Sequence, residues 1–322
     1  MSKVFITDYI EDFSIETGIL GRDVSAKVDK DIEVLLVWHQ QINEDYLSNF
    51  PNLKGVVRYG VGYDNIDLGA IKKRQLIFCN TPDYGTDEVS DTALGMILSL
   101  TRGINSYNIH SRNFFDNWQE NTIPGLRRSS ELTIGIIGAG RIGTSLMRKA
   151  NSIGFNISFF DPYKPSGYEK AISVSRYYSL EELVANSDII SIHTPLTDET
   201  FGMVNADFIN LMKEGAFIVN TARGEIIESL DLIYYAILNR KISGVGLDVL
   251  PSEPPKSSLL IDSWRESNTE ISSRVIINPH TSYFSEESYR EMRVKAAENS
   301  KRIIEGIRPF NIIVNNSKNF RT

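Results

Sequence analysis

The chain has 322 residues, which at roughly 150 per domain sets an expectation of about two domains. Hydrophobic residues make up 41% and charged residues 23%, so a large core can form and collagen-like, low-complexity and disordered classes are excluded. With 34 basic against 41 acidic residues the net charge is −7, which argues against nucleic acid or anionic lipid as a partner but leaves room for a local cationic pocket.

The first residues, Met1 to Asp8, lack the long apolar stretch of a signal peptide, and no apolar run approaches the roughly 18 residues needed to cross a bilayer. The expectation is a cytoplasmic protein with no membrane partner. Val4-Phe5-Ile6, Val34-Leu35-Leu36-Val37-Trp38, Gly55-Val56-Val57-Arg58-Tyr59 and Ile77-Phe78-Cys79 read as short buried strands separated by polar, helical spacing. Cys79, the single cysteine, is expected as a core thiol. One cysteine and four histidines offer no cluster for zinc, so no metal is expected. A long helix is predicted after Pro82, capped at Thr86 or Asp87 and running over 88–115, with Leu94, Ile97, Leu98 and Ile104 at helical intervals.

Residues 118–131 form a polar connector into a second series. There, 132–137, 157–160, 189–192, 216–219, 245–248 and 275–277 read as strands alternating with helical or loop stretches, and 252–274 as a surface excursion. Such alternation implies α/β architecture, with two Rossmann-like, doubly wound parallel-sheet domains and a cleft between them. A closing helix over 286–307 has nothing of its own to pack on if the domains are sequential. The chain is therefore expected to cross back, giving a discontinuous substrate-binding domain (1–103 plus 288–322) and a coenzyme-binding domain (104–287).

Gly138-Ala139-Gly140-Arg141-Ile142-Gly143 lies between a strand and a helical stretch and fits G-x-G-x-x-G. The first glycine permits the turn, the second admits a pyrophosphate, and the third lets the helix approach the strand. Asp161 ends the next strand, 23 residues after Gly138, where a carboxylate accepts hydrogen bonds from a ribose diol and repels a 2′-phosphate. Together they predict dinucleotide binding, with NAD favoured over NADP. Thr194-Pro195 follows a later strand and is expected to touch the coenzyme through backbone and shape.

Of the four histidines, His39 and His110 are given no chemistry, and His193 lies in the Thr194-Pro195 loop. His280 follows the last strand of the second series, Arg223 follows Val219-Asn220-Thr221-Ala222, and Glu253 follows the strand ending near Asp248. If those strands are neighbours, the three side chains converge at the carboxyl edge. The trio suits reduction of a 2-oxo acid: histidine carries the proton, glutamate orients the ring and favours its charged form, and arginine holds carboxylate and carbonyl.

Five stretches, Val61-Gly62-Tyr63-Asp64-Asn65-Ile66-Asp67, 135–143, Val219-Asn220-Thr221-Ala222-Arg223-Gly224, Leu247-Asp248-Val249 through Glu253-Pro254, and Pro279-His280, resemble in order those of the D-isomer-specific 2-hydroxyacid dehydrogenases. The resemblance implies that His280, Glu253 and Arg223 are catalytic. It also implies coenzyme contacts at Gly138, Gly140, Arg141, Ile142, Gly143, Thr221 and Ala222, with Asp248 near the nicotinamide amide and Thr194-Pro195 on the adenosine side. Backbone N–H groups at Val61-Gly62 would bind the substrate carboxylate, and a homodimer would form around the helix after Pro82.

Arg58 and Lys73 resemble cationic positions of phosphoglycerate dehydrogenases, whereas Tyr84 and Tyr283 resemble pocket residues of D-lactate dehydrogenases. The balance favours a small 2-oxo acid without phosphate. The alternative is an NAD(H)-sensing interaction protein like the family's corepressor branch. Absence of Tyr-x-x-x-Lys disfavours short-chain dehydrogenase chemistry, and Glu253 disfavours formate dehydrogenase.

Overall fold

A computed structural model describes residues 3–8, 10–25, 27–266, 270–315 and 320. In chain order its strands are β1 (Val4–Ile6), β2 (Val24–Ser25), β3 (Val34–Val37), β4 (Gly55–Arg58), β5 (Ile77–Cys79), β6 (Thr133–Ile137) and β7 (Asn156–Phe160). They continue with β8 (Ser175–Arg176), β9 (Ile189–Ile192), β10 (Ala216–Asn220), β11 (Ile242–Leu247), β12 (Val275–Ile277) and β13 (Ile312–Val314). The described residues fall into two compact units, one from Met1–Gly85 with Tyr283–Thr322 and the other from Thr86–Ser282.

The first unit is built on the sheet β13-β5-β4-β3-β1-β2, parallel except where β13 runs antiparallel to β5. Alternation along β3 shows why these runs are strands: Val34 and Leu36 enter one core, while Leu35 and Val37 enter the core on the opposite face. The closing helix Glu286–Glu305 starts at a capping box formed by Ser285 and Ser288 and ends at Gly306 in the left-handed region. Its Met292, Ala296, Ala297 and Ile303 pack into the same core as Val34 and Val57.

The second unit carries the all-parallel sheet β12-β11-β10-β9-β6-β7-β8. Chain order reverses between β6 and β9, leaving a crevice at their carboxyl ends. The helix Thr86–Thr101 belongs to this unit, so the division falls after residue 85 and not after 103, the boundary expected from the sequence. Its Ala93, Met96, Ile97 and Leu100 bury against Ile134, Ile136 and Val219, and Ser90 Oγ meets Ser145 Oγ at 3.0 Å. The expected unbroken helix over 88–115 is two helices, Thr86–Thr101 and Ile104–His110, parted where Gly103 takes φ +64°. The second division, after residue 282 and not 287, gives Tyr283 to the first unit. No helix among the described residues is long and apolar enough to cross a membrane.

Candidate active site

Each glycine of the turn after β6 has a distinct job. Gly138 adopts φ +94°, and a Cβ there would lie 2.6 Å from the His193 carbonyl oxygen. A Cβ on Gly143 would stand 2.1 Å from the Gly138 oxygen, so only glycine lets this helix approach the turn. At Gly140 a Cβ would meet nothing within 4 Å, which leaves open space before the helix Arg141–Ser152, a helix with no side-chain cap at its start. Unpaired backbone N–H groups there favour an anion. The buried hydroxyl oxygens of Thr194 and Thr221 have no hydrogen-bond partner among the described residues. This open, donor-rich crevice fits a dinucleotide.

Asp161 is buried at the end of β7, where its carboxylate accepts the N–H of Ala139 and of Tyr163, each at 2.9 Å. It therefore ties the glycine turn to the neighbouring strand, and its remaining lone pairs are what a ribose could use. His193 Nε2 lies 2.8 Å from Ser191 Oγ, and burial pushes its imidazole down to about 4, leaving the ring neutral beside the turn. The first unit's sheet also reverses order, between β1 and β3, but Asp8 fills that place. Its carboxylate takes the N–H groups of Trp38, His39 and Gln40 at 2.7–3.0 Å.

Arg223, Glu253 and His280 follow β10, β11 and β12, which are adjacent, so the condition for convergence is met. His280 Nδ1 lies 2.7 Å from Glu253 Oε2, while Glu253 Oε1 accepts the Leu250 N–H at 2.9 Å. Burial works to raise the Glu253 carboxyl, yet the hydrogen bonds from His280 and Leu250 and the charges of His280 and Arg223 bring it below its ordinary value. His280 itself sits at φ +56°, held by its N–H to the Asp248 carbonyl at 2.8 Å. The buried Asp248 carboxylate accepts the N–H of Thr281 and Ser282 at 3.0 and 3.1 Å, and burial raises its affinity for a proton. An open cavity of about 150 Å³ lies over the trio.

Two residues that the sequence alone does not mark hold this arrangement. Asn220, fully buried, donates to the Arg223 carbonyl at 2.8 Å and accepts the Ala222 N–H at 2.9 Å. Gly224 presses on the Glu253 loop: a Cβ there would stand 2.0 Å from the Leu250 carbonyl carbon. The motif Val219-Asn220-Thr221-Ala222-Arg223-Gly224 contained both, but only Arg223 carries a reactive group.

Arg58, Val61, Gly62, Tyr84 and Tyr283 belong to the first unit, and the trio to the second. Gly60 donates its N–H to Thr81 Oγ1 at 2.6 Å, and Asn80 Nδ2 donates to the Val61 carbonyl at 2.7 Å, which fixes the strand-end loop. Gly60 takes φ +122°; a Cβ there would strike Arg58 Nη1 at 2.4 Å and lie 3.5 Å from Tyr84 Oη. Tyr84 and Tyr283 meet edge to face with centroids 6.0 Å apart. A larger open cavity, about 340 Å³ and lined by Lys3, Asp31, Glu33 and Asn52, lies at the opposite, amino edge of that sheet, far from these residues.

Residues 94–282 match the family model for the NAD binding domain of D-isomer specific 2-hydroxyacid dehydrogenases. The chain belongs to that family. Its second unit is an NAD-binding Rossmann domain. The D-3-phosphoglycerate dehydrogenase of Methanocaldococcus jannaschii is 30% identical over 325 residues, 97% of this chain and 59% of that protein. C-terminal-binding protein 1 of Caenorhabditis elegans is 32% identical over 292 residues, 88% of this chain and 39% of that protein. The chain thus spans well under two thirds of either. Among solved structures, D-lactate dehydrogenase from Aquifex aeolicus, complexed with NAD and lactic acid, superposes with a TM-score of 0.80 at 29% identity, covering 95% of this chain and 96% of that one.

Proposed function

We propose that this dehydrogenase-family chain interconverts a 2-oxo acid and the D-2-hydroxy acid, with His280 as proton donor and acceptor. The observation that carries this reading is the 2.7 Å contact of His280 with Glu253 on the same edge as Arg223. NAD, when bound, supplies or takes up a hydride at the substrate's second carbon. Negative charge then builds on the substrate oxygen, and His280 delivers a proton there. Its Nδ1 is engaged by Glu253, so Nε2 is the nitrogen that faces the substrate. Glu253, kept anionic by its hydrogen bonds, stabilises the imidazolium and fixes the ring. Arg223 engages the carboxylate and polarises the carbonyl through its planar fork.

The family resemblance assigns Val61-Gly62 to the substrate carboxylate, and within the first unit Asn80 and Thr81 support the shape of that loop. The aromatic pair Tyr84 and Tyr283 favours a small acid without phosphate, against the cationic Arg58. Asp161 at the ribose end favours NAD over NADP, and Asp161→Asn is expected to relax that preference in binding titrations. A homodimer completes the reading; Phe115 and Trp118 are exposed at 89% and 64%, apolar surface that a second copy would cover.

The test is NADH oxidation against a panel of 2-oxo acids, phosphorylated and not. Turnover that His280→Ala abolishes while NADH affinity is kept, and that Arg223→Ala lowers about 100-fold or more, supports the assignment. NADH-dependent self-association with no turnover on any acid overturns it in favour of a nucleotide-sensing interaction protein.

A further inference from the structure

We propose that Tyr163 and Glu199 form a strap across the mouth of the coenzyme crevice, and that this strap retains the adenosine end of NAD. Tyr163 stands two residues beyond Asp161 in the loop after β7. Glu199 lies in the loop after β9. These strands are the two neighbours of β6, so any link between their carboxyl-end loops must pass over the end of β6, where the glycine turn lies. Such a link exists: Tyr163 Oη donates to Glu199 Oε2 at 2.5 Å.

Both ends of the strap are anchored within their own loops. The Tyr163 N–H is held by Asp161 Oδ1 at 2.9 Å. The Glu199 loop is folded by Thr200, whose Oγ1 donates to the Pro195 carbonyl at 2.7 Å and accepts the Thr197 N–H at 2.8 Å. Two loops, each folded by its own hydrogen bonds, therefore present one donor and one acceptor to each other across the crevice. The hydrogen bond to Glu199 and its charge raise the phenol above its ordinary value, so the donor keeps its proton. The unit's own packing does not account for the contact, because Tyr163 is 77% exposed and belongs to none of the core clusters among the described residues. A hydrogen bond that serves no core and spans a ligand crevice is suited to slowing the ligand's escape.

The inference rests on the coenzyme site and not on the proton-transfer reading, so it is tested without turnover. NADH bound to the full chain is displaced by excess NAD in a stopped-flow instrument, and loss of bound-NADH fluorescence gives the dissociation rate. Tyr163→Phe and Glu199→Ala are each expected to speed release about three- to fivefold. The double variant is expected to be no faster than either single one, and Glu199→Gln, which keeps an acceptor, to lie between wild type and Glu199→Ala. Both side chains are exposed, so thermal midpoints should stay at the wild-type value. Release unchanged in either single variant, or a double variant showing the product of the two effects, overturns the strap.

Discussion

The Glu253 carboxylate takes one hydrogen bond from His280 and another from the Leu250 N–H, so its negative charge is both near the imidazole and fixed in place. Glu253→Gln keeps the shape and removes the charge. Reduction of the 2-oxo acid should then fall roughly 10- to 100-fold at neutral pH, while NADH affinity measured by fluorescence titration stays the same. The pH sign follows from the lowered carboxyl. A depressed folded value means Glu253 stabilises the native state above its unfolded value near about 4.3 and loses that contribution as pH falls through the folded one. The stability gap between wild type and Glu253→Gln, read from urea midpoints, should therefore narrow as pH falls below the ordinary glutamate value. The meeting of His280, Glu253 and Arg223 at one sheet edge was legible in the sequence because each is an ionisable residue standing just past a strand. Asn220 and Thr81 were not, because they act by hydrogen-bonding a loop's backbone, a task for which residue type alone gives no signature.

Loops at the sheet edges are shaped by contacts too close for any side chain. Gly224→Ala would drive its Cβ into the Leu250–Pro251 backbone, separating the Arg223 and Glu253 loops. We expect a loss of about 1–3 kcal/mol in urea unfolding together with loss of turnover, since the neighbour is backbone and cannot step aside. Thr81→Val leaves the buried Gly60 N–H without its acceptor, so KM for the 2-oxo acid should rise while the NADH dissociation constant is unchanged; Thr81→Ser should restore KM. Strands with a strong apolar run, such as Val34–Val37 and Ile189–Ile192, were readable from sequence because burial on both faces leaves a continuous hydrophobic signal. The two-residue strands Val24–Ser25 and Ser175–Arg176 carry no such run and come from their neighbours' hydrogen bonds. Gly103 was visible as a residue, yet a lone glycine in a helical pattern does not announce φ +64°.

The return of the chain to its first unit was legible from a single mismatch, a closing helix with no face to cover beside β12. The boundary was less so: the helix Thr86–Thr101 is apolar on a face that either sheet could have accepted, and pairs such as Met96 against Gly246 decide the matter. Within the first unit the returning helix is tied to the start of the chain by a buried ion pair. Arg293 Nε donates to Glu16 Oε1 at 2.8 Å and Nη2 to Oε2 at 2.5 Å, while Tyr59 donates to the same Oε1 at 2.9 Å. Glu16 is 0% and Arg293 4% exposed, so removing one partner strands a charge away from water. Arg293→Ala should cost about 3–5 kcal/mol, whereas a paired replacement such as Glu16→Leu with Arg293→Met should recover much of it. Hydrogen exchange checks where the loss falls. Faster exchange in Ser14–Leu20 and Glu286–Glu305, with Thr86–Thr101 and β6 still protected and NADH still bound, is the expected pattern. Equal loss across both units would show that the pair stabilises more than the unit that contains it.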